Sequence, residues 1–379
     1  MTDDSAILDA IERWVEREVR PIARRFDHAD EYPAELVEQM KELGLFGATI
    51  GADYGGLGLS ASTYARLVTL ISSAWMAPTG IFNSHLIMAA CVERYGTEEQ
   101  KRRFLPRFAT GELRGGLGLT EPDAGTDLQA IRTTAQRDEG GYRINGVKTW
   151  ITNGVYGTCF AILVKTNPDA TPAHRGMSLF LCEKGEGFSV GRKLKKLGYK
   201  SIDSAELVFQ DFRVDTSALI GGEEGQGFKQ ALGGLALGRI NVAARGLGLA
   251  RAALRDSLSY AQQRHTFGKP IAQHQAIQLK LADMATRVEA ARLLIEQAAS
   301  RYDTGERCDL EAGMAKLFAS EAAVENSLEA LRIFGGYGYS TEFDVERYYR
   351  DAPLMCIGEG TNEMQRLIIA RQILEKHPL

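Results

Sequence analysis

The segments of this sequence that favour β-strands are confined to one central block, and this order limits the folds that it can adopt. Residues 5 to about 110 carry apolar side chains at helical spacing. Short β-rich runs separated by Gly, Asn and Asp follow up to about residue 213, and helical spacing returns after Gly221-Gly222. Because strands do not alternate with helices, a doubly wound parallel sheet is disfavoured. The sequence predicts a mainly α protein with a central β domain, an antiparallel barrel or sandwich.

The strongest helical pattern lies in the last region. Its apolar positions are separated alternately by four and three residues. This 3.5-residue period is typical of a long helix packed lengthwise on others. The positions are Ile277, Leu281, Met284, Val288, Ala291, Ile295, Ala298 and Tyr302. Glycines recur between 225 and 248, which indicates tight helix packing or a ligand against the helix, since each costs about 1 kcal/mol in a helix interior. We therefore divide the chain into an N-terminal helical domain (1–114), a β domain (115–222) and a C-terminal helical bundle (223–379).

Composition excludes several functional classes. The 379 residues carry a net charge of −4 without a basic stripe, which argues against nucleic-acid binding. No apolar run is long enough for a membrane span, and the N-terminus does not resemble a secretory signal. Five scattered cysteines without a CxxC pair favour a reducing, cytoplasmic location. The six histidines show no ligand spacing, so we expect no metal.

Residues 355–366, MCIGEGTNEMQR, place a single carboxylate, Glu359, between two glycines. Taken alone, the stretch favours a helix N-terminus at which Glu359, Thr361 and Asn362 act as caps. The alternative is a carboxylate that meets a ligand, because glycine permits close backbone approach. Motifs for phosphate loops and serine hydrolases are absent. The one GxGxxA match, residues 56–61, lies in the helical region without a preceding strand and is not a dinucleotide fingerprint.

Four other stretches combine polar or aromatic side chains with turn residues: GLGLTEPDAGTD (116–127), NGVKTWITNG (145–154), QRHTFGKPIAQHQAIQ (263–278) and RIFGGYGYS (332–340). Each has an ordinary structural interpretation as a turn, a core tryptophan, a helix connection or a helix C-terminus. In particular, Asn145-Gly146 predicts a hairpin turn. Each stretch also suits a cofactor. The first two offer hydroxyls and Trp150 to a flat ring, the third offers Arg264 to a phosphate, and Gly335-Gly336 of the fourth permit close backbone approach.

Together and in this order, LTEPDAGTD, WITNG, RHTFGKPIAQHQAIQ, FGGYGY and GEGTNEMQR resemble the acyl-CoA dehydrogenase family. The likeness covers most of the chain, from YGTEEQKRRFLP to the C-terminus. It implies an N-terminal helical domain, a β domain and a C-terminal four-helix bundle, in agreement with the pattern above. It also implies one FAD per subunit, an acyl-CoA thioester as substrate, a homotetramer, and an electron-transfer flavoprotein as acceptor.

The resemblance assigns the catalytic base to Glu359, which would remove the α-proton of the thioester while a hydride leaves the β-carbon for flavin N5. The thioester oxygen would accept hydrogen bonds from a flavin ribityl hydroxyl and from the backbone N–H of the base. The implied FAD contacts are Leu119, Thr120, Thr126, Trp150, Ile151, Thr152, Arg264, Thr266, Phe267, Gln275, Arg332, Gly335, Gly336, Thr361 and Glu363. Those between 264 and 275 and between 332 and 336 would reach the FAD of a neighbouring subunit. The implied substrate contacts are Thr126, Arg239, Gly358 and Gly360.

Three positions depart from the family pattern. Arg332 stands where many members have Gln, and Gly358 stands where many have Tyr before the base. Gly238 lies in the stretch where the isovaleryl branch keeps its base, so Glu359 is the remaining candidate. We expect Gly358 and Gly238 to leave room beside the α- and β-carbons for an α-methyl or other bulky group, unless Tyr337 or Phe334 fills it.

Two alternative functions remain at this stage. One keeps the fold for an oxidase that uses O2 or for another flavin-dependent enzyme, and the other is a non-catalytic binding protein. Nitroalkane oxidases resemble the family but carry Asp at the base, and desulfinase-like members lack the Glu, so Glu359 argues against both. The acyl chain, the pathway and the physiological electron acceptor are not determined by the sequence.

Overall fold

The computed structural model describes residues 4–377. Its first part is helical, as predicted, with α1 Asp4–Trp14, α2 Arg20–Ala29, α3 Ala34–Glu42, α4 Ala61–Ser72, α5 Met76–Tyr95 and α6 Glu98–Ala109. A π-helical turn over Val15–Val19 joins α1 to α2. At the start of α6 the Thr97 hydroxyl accepts a bond from the Gln100 backbone N–H, and the Gln100 side chain accepts one from the Thr97 N–H. This capping box explains why the helix begins there.

The central region forms one seven-stranded sheet in the order β1-β4-β2-β3-β7-β6, with β5 paired to β4. Its strands are β1 Gly115–Gly118, β2 Thr134–Asp138, β3 Gly141–Thr152, β4 Cys159–Lys165, β5 Met177–Glu183, β6 Phe188–Lys193 and β7 Ser204–Asp215. Four strand pairs are antiparallel, as predicted, but β4 runs parallel to β1 and meets β2 in parallel at one residue pair. The purely antiparallel prediction is therefore wrong. The long connection through β2 and β3 allows β1 and β4 to run in the same direction.

The hairpin predicted at Asn145-Gly146 is also wrong, because both residues lie inside β3 at a shift in its register with β7. A Cβ added at Gly146 would lie within 2.7 Å of three atoms of Thr133, so the crossing chain requires glycine there. The true β2–β3 turn is Glu139-Gly140, with Gly140 at φ +80°. The Asn-Gly pair therefore marks a β-bulge, the other common place for glycine in a strand.

The last part is helical, with α7 Gly227–Gln263, α8 Gln275–Asp303, α9 Asp309–Phe334, α10 Val345–Ile357 and α11 Asn362–Lys376. A short hairpin, β8 His265–Thr266 and β9 Lys269–Pro270, lies in the connection between α7 and α8. The 3.5-residue pattern is confirmed, because its positions form the buried and half-buried face of α8. None of the helices in residues 4–377 is both long and apolar enough to cross a membrane.

The glycines of α7 allow close packing, as their number suggested. A Cβ added at Gly248 would lie 2.6 Å from the Ser72 Cβ of α4, and one at Gly246 would lie 2.8 Å from the Ala319 carbonyl oxygen of α9. Both distances are shorter than van der Waals contact, so larger residues would push the helices apart. The mainly helical fold with one central sheet is confirmed.

Buried side-chain hydrogen bonds connect the helical and sheet regions. Asn153, which follows β3, donates through Nδ2 to the Ile81 carbonyl of α5 and to the Gly115 carbonyl of β1, both at 2.8 Å. Gln100 of α6 donates to the Leu219 carbonyl beyond β7 at 2.8 Å. The Asn153–Gly115 bond lies within the sheet region. The Asn153–Ile81 and Gln100–Leu219 bonds cross between the two regions, and we name these two the interdomain bonds. They fix the N-terminal helices against the sheet beside the site described next.

Candidate active site

Glu359 lies in the four-residue connection between α10 and α11, residues 358–361, with its backbone in the left-handed region at φ +55°. Gly360 follows at φ +88°, whereas Gly358 has an ordinary extended backbone at φ −69° and ψ 152°. Thr361 caps α11 by accepting a bond from the Met364 N–H. The cap interpretation is therefore confirmed for Thr361 and wrong for Glu359 and for Asn362, whose Oδ1 accepts a bond from Lys316 instead. A non-glycine residue at positive φ carries strain that is typical of functional sites.

Buried polar side chains hold this connection in place. Lys316 of α9 donates through Nζ to the Cys356 carbonyl at 3.2 Å and to Asn362 Oδ1 at 2.8 Å. Burial lowers the pKa of Lys316 to about 8. Gln365 donates through Nε2 to the Gly360 carbonyl at 3.1 Å. These bonds tie the end of α10 and the start of α11 to α9, and thereby fix the backbone that carries Glu359.

The two oxygens of the Glu359 carboxylate have different surroundings. Oε1 accepts a bond from Asn83 Nδ2 at 2.7 Å and one from Arg245 Nη2 at 3.3 Å. Oε2 is buried and has no hydrogen-bond partner within residues 4–377. It lies against Gly238, where an added Cβ would be 2.2 Å away. The expectation that Gly238 leaves room for substrate is therefore wrong, because the base itself occupies that space.

The environment of Glu359 raises the pKa of its carboxyl, mainly through burial. Arg245 offsets part of this effect, followed by the Asn83 hydrogen bond and the charges of Lys316 and Arg239. Arg239, an implied substrate contact, is buried beside Gly238 and forms an ion pair with Asp309 at 3.4 Å. The Glu359 backbone N–H donates to no described residue of the chain. The site thus combines a carboxylate of raised basicity with an N–H that is available to a ligand.

A polar cluster surrounds Oε1, and we name it the polar wall: Tyr64, Asn83, Tyr199, Asn241 and Arg245. Arg245 donates through Nη1 to Tyr199 Oη at 3.2 Å, and Asn241 donates through Nδ2 to Tyr64 Oη at 2.8 Å. Burial raises the pKa of both tyrosines. None of these five residues was predicted from the sequence, although Asn83 and Arg245 stand out as polar residues within apolar helical segments, GIFNSHLIMAAC and NVAARGLGLA.

Trp150 lies on a β-bulge of β3, where the register with β7 shifts between Lys148 and Ile151. Its backbone is at φ +61° and its side chain is 56% exposed. The neighbouring Thr149 N–H donates to the Thr120 carbonyl at 2.9 Å instead of to β7. A bulge of this kind redirects a side chain, and it leaves Trp150 exposed on the strand segment that is bonded to the 119–121 loop.

A buried ion pair fixes the 119–121 loop against β3. Lys148 Nζ lies 2.8 Å from Glu121 Oε1 and donates to the Leu119 carbonyl at 3.1 Å. Burial lowers the pKa of Lys148 to about 8. Both residues fall inside motifs noted in the sequence, but neither was assigned a role. The structure therefore brings Leu119, Thr120, Trp150, Ile151 and Thr152 together, with Thr126 exposed on the same loop.

A second group of implied FAD contacts lies at the ends of α7 and α9. The rings of Tyr260 and Phe334 stack with centroids 4.0 Å apart, which places the 264–275 segment next to the 332–336 segment. Phe267 is 95% exposed at φ +50°, and added Cβ atoms at Gly335 and Gly336 would meet nothing within 4 Å. The other members are Arg264, Thr266, Gln275 and Arg332, with Arg332 paired to Glu329. Within residues 4–377 no hydrogen bond or ion pair joins this group to Trp150.

The remaining implied contacts lie beside the base. Gly360 and Thr361 follow it directly, and Glu363 is exposed in the first turn of α11. Elsewhere in residues 4–377, Asp27, His28 and Glu346 place ligand atoms within 4.8 Å of one another. The Arg350 guanidinium already binds both carboxylates, at 2.6 Å from Asp27 and 2.9 Å from Glu346. We assign no metal to this trio, because the arginine supplies its positive charge.

Sequence models of three parts of one family match nearly the whole chain. The N-terminal, middle and C-terminal domains of acyl-CoA dehydrogenases match residues 1–112, 116–212 and 225–374. An acyl-CoA dehydrogenase of Bacillus subtilis is 42% identical over 95% of each chain. The chain belongs to the acyl-CoA dehydrogenase family. It is therefore an oxidoreductase of this family and acts on acyl-CoA thioesters.

Solved structures of the family agree closely with this fold. A butyryl-CoA dehydrogenase from Megasphaera elsdenii is 37% identical, with a TM-score of 0.94 over 99% of each chain. A chain of a structure described as the electron transferring flavoprotein of Acidaminococcus fermentans is 38% identical, with a TM-score of 0.95 over 99% of this chain and 98% of that chain. The FAD complex of PigA is 30% identical, with a TM-score of 0.93 over 98% of each chain.

The cofactor of this acyl-CoA dehydrogenase is FAD. The residues present fit a flat, polar ring system, because the exposed Trp150 lies on the same strand as the hydroxyl-bearing Thr152. The neighbouring Thr149 binds Thr120, on a loop fixed by a buried ion pair. The backbone at Trp150 is in the left-handed region, and strain of this kind clusters at ligand-binding sites. The family assignment and this geometry therefore agree.

Proposed function

We propose that this enzyme removes two hydrogens across the α- and β-carbons of an acyl-CoA thioester, with Glu359 as the base that takes the α-proton. The observation that carries the proposal is the asymmetry of the carboxylate. Asn83 and Arg245 hold Oε1, whereas Oε2 is buried without a partner among the described residues. A base fixed through one oxygen presents the other in a constant direction, as general base catalysis requires.

The residues of the chain also stabilise the charge that develops on the thioester. The raised pKa of Glu359 makes the carboxylate a stronger base toward a weakly acidic α-proton. Its free backbone N–H donates a hydrogen bond to the thioester carbonyl oxygen, where negative charge grows. The strained backbone at Glu359 and Gly360 holds that N–H and the carboxylate on one connection. Bound FAD supplies the acceptor for the β-hydrogen as hydride.

An electron-transfer flavoprotein is the proposed partner that receives the electrons. Its support is the close likeness to a chain in a structure of such a flavoprotein. We also propose a homotetramer in which the exposed group around Phe267 and Gly335-Gly336 covers the FAD of a neighbouring subunit. The exposure of Phe267 supports this arrangement. Light scattering measures the molar mass of the assembly. A monomer that holds FAD firmly would contradict the proposed tetramer with its shared FAD site.

The experiment that tests the function is anaerobic flavin reduction. The purified protein is expected to be yellow, with about one FAD per chain, and an acyl-CoA is expected to bleach the flavin absorbance without added reductant. Slow reoxidation in air, with fast reoxidation by an electron-transfer flavoprotein, identifies a dehydrogenase. Fast reoxidation by O2 identifies an oxidase. A flavin that no acyl-CoA bleaches contradicts the proposed function.

Gly358 is expected to widen the substrate pocket beside the base. A Cβ added there would meet only the Leu354 carbonyl oxygen, at 3.4 Å, and the backbone conformation suits any residue. Gly358→Tyr should therefore fold and fill the space, and it should lower kcat/KM for a 2-methyl-branched acyl-CoA by about 10-fold or more relative to butyryl-CoA, since one methyl group is worth 1–3 kcal/mol.

The comparison needs a control at an equivalent exposed glycine. Gly305→Tyr serves poorly because Gly305 is at φ +74°, whereas Gly185 has free space around it and no positive φ. Gly185→Tyr should leave the branched-to-straight ratio unchanged. If Gly358→Tyr also leaves that ratio unchanged, then Gly358 does not shape the pocket.

A further inference from the structure

The polar wall beside Glu359 is unsuited to a plain alkyl chain. Tyr64, Asn83, Tyr199, Asn241 and Arg245 are all buried, and the Arg245 side chain is 5% exposed. Two of their polar atoms, Arg245 Nε and Asn241 Oδ1, have no hydrogen-bond partner within residues 4–377. Buried polar atoms without partners are costly. Their presence next to a catalytic carboxylate therefore indicates that a ligand supplies the missing partners.

We propose that the substrate is a short acyl thioester that carries a carboxylate at the far end of its acyl chain, and that Arg245 binds this carboxylate. The inference rests on the proposed function, because it names the substrate of the same site. It gives Arg245 a role in specificity in addition to its contact with the base.

The guanidinium has one edge available for such a group. Nη1 donates to Tyr199, and Nη2 makes only a long contact of 3.3 Å with Glu359. Nε is buried and unpartnered. Nε and Nη2 lie on the same edge of the planar guanidinium, and that edge binds a carboxylate through two parallel hydrogen bonds. An amide or a hydroxyl can satisfy only one of them.

Charge balance during the reaction favours the same ligand. Glu359 is the sole carboxylate within ion-pair distance of Arg245 among the described residues. When Glu359 takes the α-proton it becomes neutral, and Arg245 is then a buried cation without an anion. Leaving a buried charge unpaired is strongly unfavourable. A substrate carboxylate on the free edge supplies the counter-charge throughout the proton transfer.

The distances allow a short acyl chain. A reacting α-carbon lies about 3 Å from the carboxylate oxygen that takes its proton, and Arg245 Nη2 lies 3.3 Å from the other oxygen of the same group. Since each carbon–carbon bond is about 1.5 Å, a carboxylate two or three carbons beyond the α-carbon can reach the guanidinium. Four- and five-carbon dicarboxylic thioesters meet this condition.

The test compares thioesters of equal length with and without the terminal carboxylate. Succinyl-CoA is paired with butyryl-CoA, and glutaryl-CoA with valeryl-CoA, and kcat/KM is measured by flavin-linked dye reduction. The wild type is expected to prefer at least one carboxylated member by about 10- to 100-fold, the range of a charge-assisted hydrogen-bond pair. Arg245→Gln should abolish that preference.

Arg347→Gln is the matched control, because Arg347 is also buried but donates to the Ala74 carbonyl away from the base. It should leave the substrate ratio at the wild-type value whatever it does to stability. A second variant, Arg245→Lys, keeps the charge without the double hydrogen bond and should retain part of the preference. Flavin content and circular dichroism establish that each variant is folded.

Two results overturn the proposal. One is a wild-type enzyme whose kcat/KM for butyryl-CoA and valeryl-CoA equals its kcat/KM for the carboxylated thioesters. This measurement needs no variant. The other is an Arg245→Gln enzyme that loses activity equally on all four thioesters, which would limit Arg245 to positioning the base. If no thioester of any kind reduces the flavin, the proposed function itself fails, and this inference fails with it.

Discussion

Replacing Glu359 with glutamine is expected to lower kcat by about 10²- to 10⁴-fold, the usual contribution of a positioned general base. The amide cannot take the α-proton, but its oxygen can still accept the bonds from Asn83 and Arg245 that Oε1 accepts now. The connection between α10 and α11 should therefore keep its conformation, and FAD should remain bound. Single-turnover reduction of the flavin by an acyl-CoA measures the loss directly, and the visible spectrum reports flavin content.

Glu346→Gln provides a matched control for the loss of a partly buried, arginine-bound carboxylate. Glu346 lies on α10 and is bound by Arg350 at 2.6 Å, away from the base. This variant should retain wild-type kcat. A Glu359→Gln enzyme that keeps more than a tenth of wild-type kcat would place the base at another residue.

Gly238→Ala is expected to lower kcat/KM by about 10²-fold without lowering stability. The new Cβ would lie 2.2 Å from Glu359 Oε2 and 2.9 Å from Ile87 Cδ1. The carboxylate must therefore move by about 1 Å, and a misplacement of this size costs about 10²-fold in rate. Alanine is favoured over glycine in a helix interior by about 1 kcal/mol, and this gain opposes the cost of the new contact. Thermal unfolding and steady-state kinetics together separate the two effects.

Gly313→Ala is the control for the helix effect alone. Gly313 lies inside α9, and an added Cβ would meet its nearest atoms at the ordinary contact distance of 3.4 Å. This variant should raise the melting temperature slightly and leave kcat/KM unchanged. A Gly238→Ala enzyme with wild-type kinetics would show that the carboxylate does not need its position against α7.

Patterns that depend on neighbouring residues were readable from the sequence. The period of α8 and the cap at Thr361 each involve residues within a few turns of one another. The position of Glu359 between two glycines marked it as unusual, but local propensity alone favoured a cap. The resemblance to a family, rather than the local pattern, identified it as a base.

The partners of Glu359 were not readable, because the contacts that define the base are long-range. Asn83 and Arg245 lie 276 and 114 residues away from it along the chain. The same limitation applies to Asn145-Gly146. The dipeptide favours a hairpin locally, but the passage of Thr133 against Gly146 makes it a bulge in the folded sheet. Both outcomes depend on which segments meet in three dimensions.

The interdomain bonds have a consequence for how substrate reaches the base. Many enzymes complete their active site by hinge closure of two domains around the ligand. Here Asn153 and Gln100 join the N-terminal helices to the sheet region through two buried hydrogen bonds of 2.8 Å. A hinge between these parts would break both bonds, and their donors and acceptors are buried. We therefore expect the N-terminal helices and the sheet to stay together while substrate enters, so that the shape and charge of the assembled cleft contribute to discrimination between substrates.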